Sequence, residues 1–504
     1  MRVALVYPAT YSAAVASLAY QNMYYLLNSL DYVYAERVVA QSMAGPEPLP
    51  RSLETGRPLH RFDVIIAPVS YELDYVTLAR ILHAAGIPLL REERKNKDYP
   101  LLVLGGPVPS TNPAVAIGIG DLVAIGEAEP LLPLLAEKAY EHGAEKAVEE
   151  LGCRPGFLAP GCEAAVRKAI TRNLDTAFHS TTQFRVPGSG EPWGEAYMVE
   201  ASRGCPHMCR FCMEAHFLLP TRHRSYARLR QLIEKGVETN NVARVAFYAL
   251  SFFDHPSADK LLELLDSEGL EASIGSMRGD TLTEDRVELL HRLGQRVVTI
   301  APETLSPVLC KALGKCIPMD TVEQVAEWAW RRRMHIKLYL MLGAPGETDK
   351  DVEDEAEKLR KLSRRAPPMR EAIRVTVNPL IPKPMTPLQY HELIDRKLYE
   401  KRIKILRRAM SKVLSIDALS YRYAYAQTVI ARGDEQTPRL IREWATAGGR
   451  LGQLWTTARR LGINLEKYTK KNPPTPWHRY VYPGFPEKTL RQGYRAVLAI
   501  TDQA

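Results

Sequence analysis

The stretch Glu200-Ala-Ser-Arg-Gly204-Cys205-Pro-His-Met-Cys209-Arg-Phe-Cys212 puts three thiols on one short segment, directly after the apolar run Tyr197–Glu200. Read as a buried strand and its loop, it opens a series. Strand candidates recur at 244–249, 272–276, 297–301, 336–341 and 373–377. Helical patterns separate them at 227–235, 258–265, 284–293, 307–313, 321–332 and 349–362. Strands that alternate with helices argue a parallel sheet covered by helices. Six repeats are too few for an ordinary eight-fold barrel and suit an open, partial one, in which the loops after the strands carry the chemistry.

Spacings of three and two residues let three thiolates on one loop converge on one small inorganic object, and thiolate suits a soft, delocalised cluster. A closed structural site wants a fourth ligand. An iron–sulfur cube (4Fe-4S) held by Cys205, Cys209 and Cys212 instead leaves one iron open. That iron can bind the amino and carboxylate groups of S-adenosylmethionine (SAM), whose sulfonium an electron then cleaves to methionine and a 5′-deoxyadenosyl radical. The rival is a structural zinc site completed by His207 or His216. An aromatic, Phe211, before the last cysteine and a strand before the first argue against zinc. Cys153, Cys162, Cys310 and Cys316 show no ligand spacing; they read first as small buried residues, with disulfides the less favoured alternative.

Upstream, the runs 3–7, 64–69, 101–104 and 122–125 read as buried strands, with helices at 12–29, 75–85 and 130–142. Residues 1–145 thus form a Rossmann-like domain with a parallel sheet. Its strand ends carry Gly105-Gly106-Pro107 and Gly126-Glu127. Ligands of such sheets bind beyond the carboxyl ends of the strands, where glycine lets backbone come close, although Gly-Gly-Pro taken alone reads first as a turn. Residues 146–192 read as a connector ending in Pro187-Gly-Ser-Gly-Glu-Pro192, 193–390 as the partial barrel, and 391–504 as a mainly helical region with a Pro- and aromatic-rich tail.

A chain of 504 residues exceeds what one core usually serves, so two to four domains are expected. No run approaches the roughly 20 uninterrupted apolar residues of a membrane span. Met1 to Pro8 reads as a first strand rather than a signal peptide, so a cytoplasmic location is expected. Lys plus Arg exceed Asp plus Glu by 67 − 58 = 9, which permits contact with RNA or another polyanion. Arg331-Arg332-Arg333 and the basic run 396–408 read first as solvated helix faces. Trp477, Tyr480 and Tyr482 could stack on RNA bases, but ordinary packing over the barrel is the favoured reading.

On these residues the chain resembles the cobalamin-binding-domain subgroup of radical SAM enzymes, over nearly its whole length. It is most similar to an uncharacterised branch that carries blocks such as Leu53-Glu-Thr-Gly-Arg-Pro58, Ala301-Pro-Glu303, Lys337-Leu-Tyr-Leu-Met341-Leu-Gly-Ala-Pro-Gly-Glu347, Asn378-Pro-Leu-Ile-Pro-Lys383 and Ala431-Arg-Gly-Asp434. The resemblance implies a Rossmann-like domain of the cobalamin-binding type followed by a (β/α)6 barrel, with Cys205, Cys209 and Cys212 as cluster ligands. It further implies that Ser276 and Arg278, ending the third strand, meet SAM, the guanidinium being shaped for the methionyl carboxylate. Glu303, ending the fourth, would take its ribose hydroxyls or amino group. Gly343, Ala344 and Pro345 resemble the loop that contacts adenine, and Gly105, Gly106, Gly126 and Glu127 fall where cobalamin would lie.

Two departures matter. Where many members carry Gly-Gly-Glu after the second strand, this chain has Ala249-Leu-Ser251-Phe-Phe-Asp254, so backbone carbonyls or Ser251 would have to hold the amino group of SAM. The Asp-x-His-x-x-Gly signature is absent. Ala9-Thr-Tyr-Ser12 stands after the first strand, and cobalamin would have no histidine below its cobalt.

The leading expectation is a cobalamin-dependent radical SAM methyltransferase acting on an unactivated carbon, served by a reductant such as ferredoxin or flavodoxin. A radical SAM enzyme without functional cobalamin, doing a rearrangement, cyclisation or thiolation, is the alternative. A zinc-containing protein that binds nucleic acid is the reading from outside enzymology. The substrate is not legible.

Overall fold

Val64-Ile-Ile-Ala-Pro68 is buried at every position, as a strand covered on both faces must be. In the computed structural model, which describes residues 1–95, 97–185 and 195–503, it is the third of six strands in one sheet. The strands are β1 (Arg2–Tyr7), β2 (Tyr34–Val39), β3 (Val64–Pro68), β4 (Leu101–Gly105), β5 (Leu122–Ala124) and β6 (Phe157–Leu158), in the order β2-β1-β3-β4-β5-β6. All pairings are parallel except β5 with β6. The order reverses between β1 and β3, and that switch point opens the crevice in which doubly wound sheets bind ligands. β2 escapes the sequence reading because Glu36 and Arg37 interrupt its apolar run. Glu36 is buried with Ser52 and Thr55 each donating to it at 2.6 Å and Arg2 at 3.1 Å.

This sheet belongs to one compact unit, Met1–Pro192 with Lys383–Met385 and Tyr425–Glu487. The Gly/Pro end of the expected connector, residues 187–192, lies outside the described residues. Its earlier part adds the helix Ala144–Leu151 and the short strand β7 (Val166–Arg167). Cys153 and Cys162 form a disulfide there, against the favoured expectation of free cysteines. Trp477 and Tyr480 are buried, in a short helix that packs on Pro113–Ala116 of this same unit. They fill its interior rather than cap the barrel, leaving only Tyr482 of the three aromatics exposed.

The second unit is Trp193–Pro382, Thr386–Ala424 and Lys488–Ala504. Its strands follow chain order: β8 (Tyr197–Glu200), the hairpin β9 (Ser202–Arg203) and β10 (Arg222–His223), then β11 (Arg244–Tyr248), β12 (Glu271–Ile274), β13 (Val297–Glu303), β14 (His335–Leu342), β15 (Ile373–Pro379) and β16 (Leu414–Ala418). β8-β11-β12 and β13-β14-β15-β16 are parallel rows joined by a bridge between Met277 and Ile300. Along β14, every second side chain is buried, and helices such as Met319–Arg331 and Asp349–Arg365 press their apolar stripes onto the strands. The six expected strands are present. A seventh, β16, extends the row from inside the region expected to be helical, because its five residues are flanked by stronger helical patterns. The expected C-terminal region 391–504 is thereby shared: 386–424 and 488–504 belong to the barrel unit, 425–487 to the other.

The basic runs are salt-bridged helix faces. Arg331 and Arg332 pair with Glu284, and Arg396 pairs with Glu400. No helix among the described residues is long and apolar enough to cross a membrane.

Candidate functional site

The cysteine loop leaves β8 through the β9–β10 hairpin. Gly204 makes the turn at φ +83°, with its backbone so near Leu218 and Pro220 that a side chain would collide with their carbonyls. Further along, Arg210 anchors the loop. Its backbone N–H donates to the Leu313 carbonyl (2.9 Å) and its guanidinium to the carbonyls of Lys311 and Ala312 (2.7 and 2.8 Å), while its own carbonyl accepts from Leu388 N–H. These carbonyls end the helix Pro307–Leu313, where a cation meets the negative end of the helix dipole. The disulfide Cys310–Cys316 closes the same segment, again correcting the expectation of free cysteines.

Cys205, Cys209 and Cys212 are the chain's free cysteines; the first two are only 9% and 7% exposed. Each of Cys209 and Cys212 feels the charge of its neighbours in the triplet. Burial raises all three thiols, Cys212 to about 12, while Lys315 and Arg278 draw Cys205 and Cys209 back toward the thiolate. Carboxyl groups act on the thiols in the opposite sense, Asp254 on Cys205, Glu303 on Cys209 and Glu214 on Cys212. Glu303 ends β13 in the left-handed region, φ +69°, beside a break in the strand register, and its buried carboxylate accepts from Lys315 Nζ at 2.8 Å. A non-glycine residue held at positive φ marks a place where the fold fixes a side chain against local preference.

The donor set fits a cluster better than a single ion. No group of three or more His, Cys, Asp or Glu among the described residues could hold one metal ion. A shared zinc would draw all three sulfurs to about 2.3 Å from one point. A cube spreads them, one thiolate to each of three irons. Each histidine that would complete a zinc site has one ring nitrogen in a hydrogen bond. His207 Nε2 lies 2.6 Å from Asp254 Oδ2, and His216 Nδ1 lies 2.9 Å from the Cys212 carbonyl.

Of the residues expected to meet SAM, Arg278 and Glu303 stand near the thiols. Arg278 already donates Nε and Nη2 to the carboxylate of Asp280 (3.0 and 2.7 Å). Ser276 is exposed just beyond β12. Gly343, Ala344 and Pro345 form a buried loop after β14. Glu347 Oε2 accepts the Gly343 N–H at 2.7 Å, and His391 Nε2 lies 3.1 Å from the Gly343 carbonyl. Burial pushes the Glu347 carboxyl up to about 8, against the pull of the Gly343 amide and of Arg402, which also pairs with it. Asp254, Lys315, Glu347 and His391 escaped the sequence reading. Two had a signal, Asp254 in the segment that replaces Gly-Gly-Glu and Glu347 at the end of the block that begins at Lys337.

In the other unit, Gly105 ends β4 and Gly106 follows it, and Gly126 and Glu127 follow β5. The close approach these glycines permit is to the chain itself. A Cβ on Gly106 would stand 2.7 Å from the Val69 carbonyl oxygen, and one on Gly126 only 2.2 Å from that of Ala169. Glu127 accepts the Thr171 N–H at 2.8 Å. Backbone fills the open face of Gly106 and of Gly126, so neither glycine offers that face to a corrin. The switch point lies instead beside the loops after β1 and β3, where Thr10 and Ser12 hydroxyls meet at 3.2 Å.

Comparison with known proteins agrees with this architecture. Residues 19–153 match the family described as radical SAM proteins, N-terminal, and residues 199–359 match the radical SAM superfamily. An uncharacterized protein of Methanocaldococcus jannaschii is 29% identical over 443 residues, covering 87% of this chain and 90% of that protein. Among solved structures, the radical SAM methyltransferase TsrM from Kitasatospora setae, with tryptophan substrate and a SAM analog bound, shares the fold at a TM-score of 0.57. It has 13% identity, over 92% of this chain and all of that one. The cobalamin-dependent SAM radical enzyme OxsB, with aqua-cobalamin and SAM bound, shares it at 0.52 and 13% identity, over 98% of this chain and 66% of that one.

Proposed function

We propose, for a chain assembled from the N-terminal and core domains of radical SAM proteins, that Cys205, Cys209 and Cys212 hold a 4Fe-4S cluster and that the protein cleaves SAM reductively. The observation that carries this reading is the sorting of the cysteines. Four are paired in disulfides, and the three left free all stand on the loop after the first barrel strand. When bound, the cluster supplies the electron that splits SAM into methionine and a 5′-deoxyadenosyl radical.

The chain's own residues bind and orient. Arg278 offers its Nη1, which Asp280 does not take, to the methionyl carboxylate. Asp254, fixed by His207, supplies a carboxylate for the amino group in place of the missing Gly-Gly-Glu. Glu303, held by Lys315, faces the ribose, and the buried Gly343–Pro345 loop shields the base from water.

The finer reading is methylation of an unactivated carbon with cobalamin at the switch point of the N-terminal sheet, supported by the β2-β1-β3-β4-β5 order and by fold likeness to TsrM and OxsB. A second reading, rearrangement, cyclisation or thiolation without cobalamin, is favoured by the absence of the Asp-x-His-x-x-Gly signature after β1. Anaerobic reconstitution with SAM and a reductant separates them. About four irons and four sulfides with 5′-deoxyadenosine are expected, and Cys209→Ala should lose both iron and nucleoside. Bound corrinoid with S-adenosylhomocysteine supports methylation; 5′-deoxyadenosine alone supports the second reading. Zinc without sulfide overturns both.

A further inference from the structure

Gly343 stands at φ +95°, with Ile394 so close that a Cβ would lie 2.8 Å from the Ile394 Cβ. Its peptide groups are held from both sides by side chains. Glu347 takes the N–H, and the Glu347 carboxylate is itself held by Arg402, which also donates Nη2 to the Glu347 carbonyl at 2.7 Å. His391 holds the carbonyl, with the Tyr494 hydroxyl 3.4 Å from its other ring nitrogen. Arg402 lies in the helix Arg396–Arg407 and Tyr494 in the C-terminal helix Glu487–Thr501. That last helix also closes on the far end of the loop, where a Cβ on Gly346 would meet Thr501 at 2.5 Å. Two helices remote in sequence thus back the two side chains that hold one glycine. A turn needing only to reverse the chain would not require two side chains, each backed by another, on a single residue.

We infer that Glu347 and His391 are positioning residues, which fix the Gly343 peptide so that the loop it begins meets the base of SAM in one orientation. This rests on the reading of Gly343–Pro345 as the base-contacting loop. Arg402 and Tyr494 act one step further back, by holding Glu347 and His391. A loop set in one orientation tells one purine edge from another, because swapping an amino group for a carbonyl leaves a buried partner unpaired.

The test measures binding of S-adenosylhomocysteine and of its hypoxanthine counterpart, S-inosylhomocysteine, to the full chain, alongside melting temperature. His391→Ala should weaken S-adenosylhomocysteine by about tenfold and shrink the ratio between the two ligands, as expected for loss of a buried hydrogen bond. His391→Gln, whose amide can still donate to the carbonyl, should recover most of both. Glu347→Ala should act in the same direction, and Glu347→Gln, which can still accept the Gly343 N–H, should recover part. Glu347→Ala leaves the buried Arg402 with Asp349 as its remaining carboxylate partner, so His391→Ala carries the test if that variant does not fold. Gly343→Ala tells the two ideas apart. If it weakens binding while both alanine variants leave affinity and ratio unchanged, the positioning inference fails and the loop assignment stands. If none of the three changes either quantity, the loop assignment itself is wrong.

Discussion

Gly126 shows how a single residue can be read correctly for its conformational freedom and wrongly for its partner. Its φ of +118° and its position after a strand suit a ligand-binding turn, yet the atoms against it belong to Ala169. A side chain there would collide with backbone, which cannot rotate away. Gly126→Ala should therefore cost about 3 kcal/mol or more, with or without corrinoid, whereas Gly462→Ala should cost about 1–2 kcal/mol. Gly462 has φ +66° but open space around it. Denaturant titration of the two variants checks the difference, and equal losses would return Gly126 to the ligand reading. The cysteine triplet was legible because its chemistry is local. His391 was not, because its partnership with Gly343 is made by the fold across 48 residues, and Glu347, four residues from Gly343, shows its contact only in the folded loop.

Among the elements, strands rich in Val, Ile and Leu announced themselves, and those that depend on tertiary partners did not. β2 carries Glu36 and Arg37 mid-strand, and Arg37 is accommodated by Glu54, the Tyr11 hydroxyl and the rings of Tyr24 and Phe184. The Ala431-Arg-Gly-Asp434 block was recognised only by resemblance, and its aspartate has a structural task. Asp434 Oδ1 accepts from the Tyr468 hydroxyl and Oδ2 from Lys467, both at 2.7 Å, so it ties the start of the helix Thr437–Thr446 to the short helix Glu466–Thr469. Burial opposes its ionisation, but Lys467, Tyr468 and the Gln436 amide outweigh burial and hold the carboxyl below its ordinary range. A depressed acid stabilises above its unfolded pKa, and that contribution fades as the pH falls through the lower folded value. Asp434→Asn should accordingly cost about 1–2 kcal/mol near neutral pH. The gap should close as the pH drops below about 4, and a pH-independent gap in melting temperature would refute the assignment.

At the scale of the whole molecule, alternation of strand and helix was enough to foresee two parallel sheets, while the allocation of the C-terminal third was not foreseen. Helices look alike from periodicity whichever unit they cover. The helix Thr437–Thr446 packs on Asp74–Ala84 of the N-terminal unit, and Asn112 donates to the carbonyls of Ala431 and Gly433. Residues 1–192 alone should therefore bind hydrophobic dyes and melt without a cooperative transition, and joining 425–487 through a flexible linker should restore one. A sharp transition in the short fragment would show that the returning segment is dispensable.

The interruption of the N-terminal unit by the barrel has a consequence for biosynthesis. The sheet β1–β5 leaves the ribosome early, but the segment that covers Asp74–Ala84 follows only after all of the barrel strands. Throughout that interval the nascent chain carries an uncovered apolar helix face, which is the kind of surface that chaperones shield and aggregation exploits.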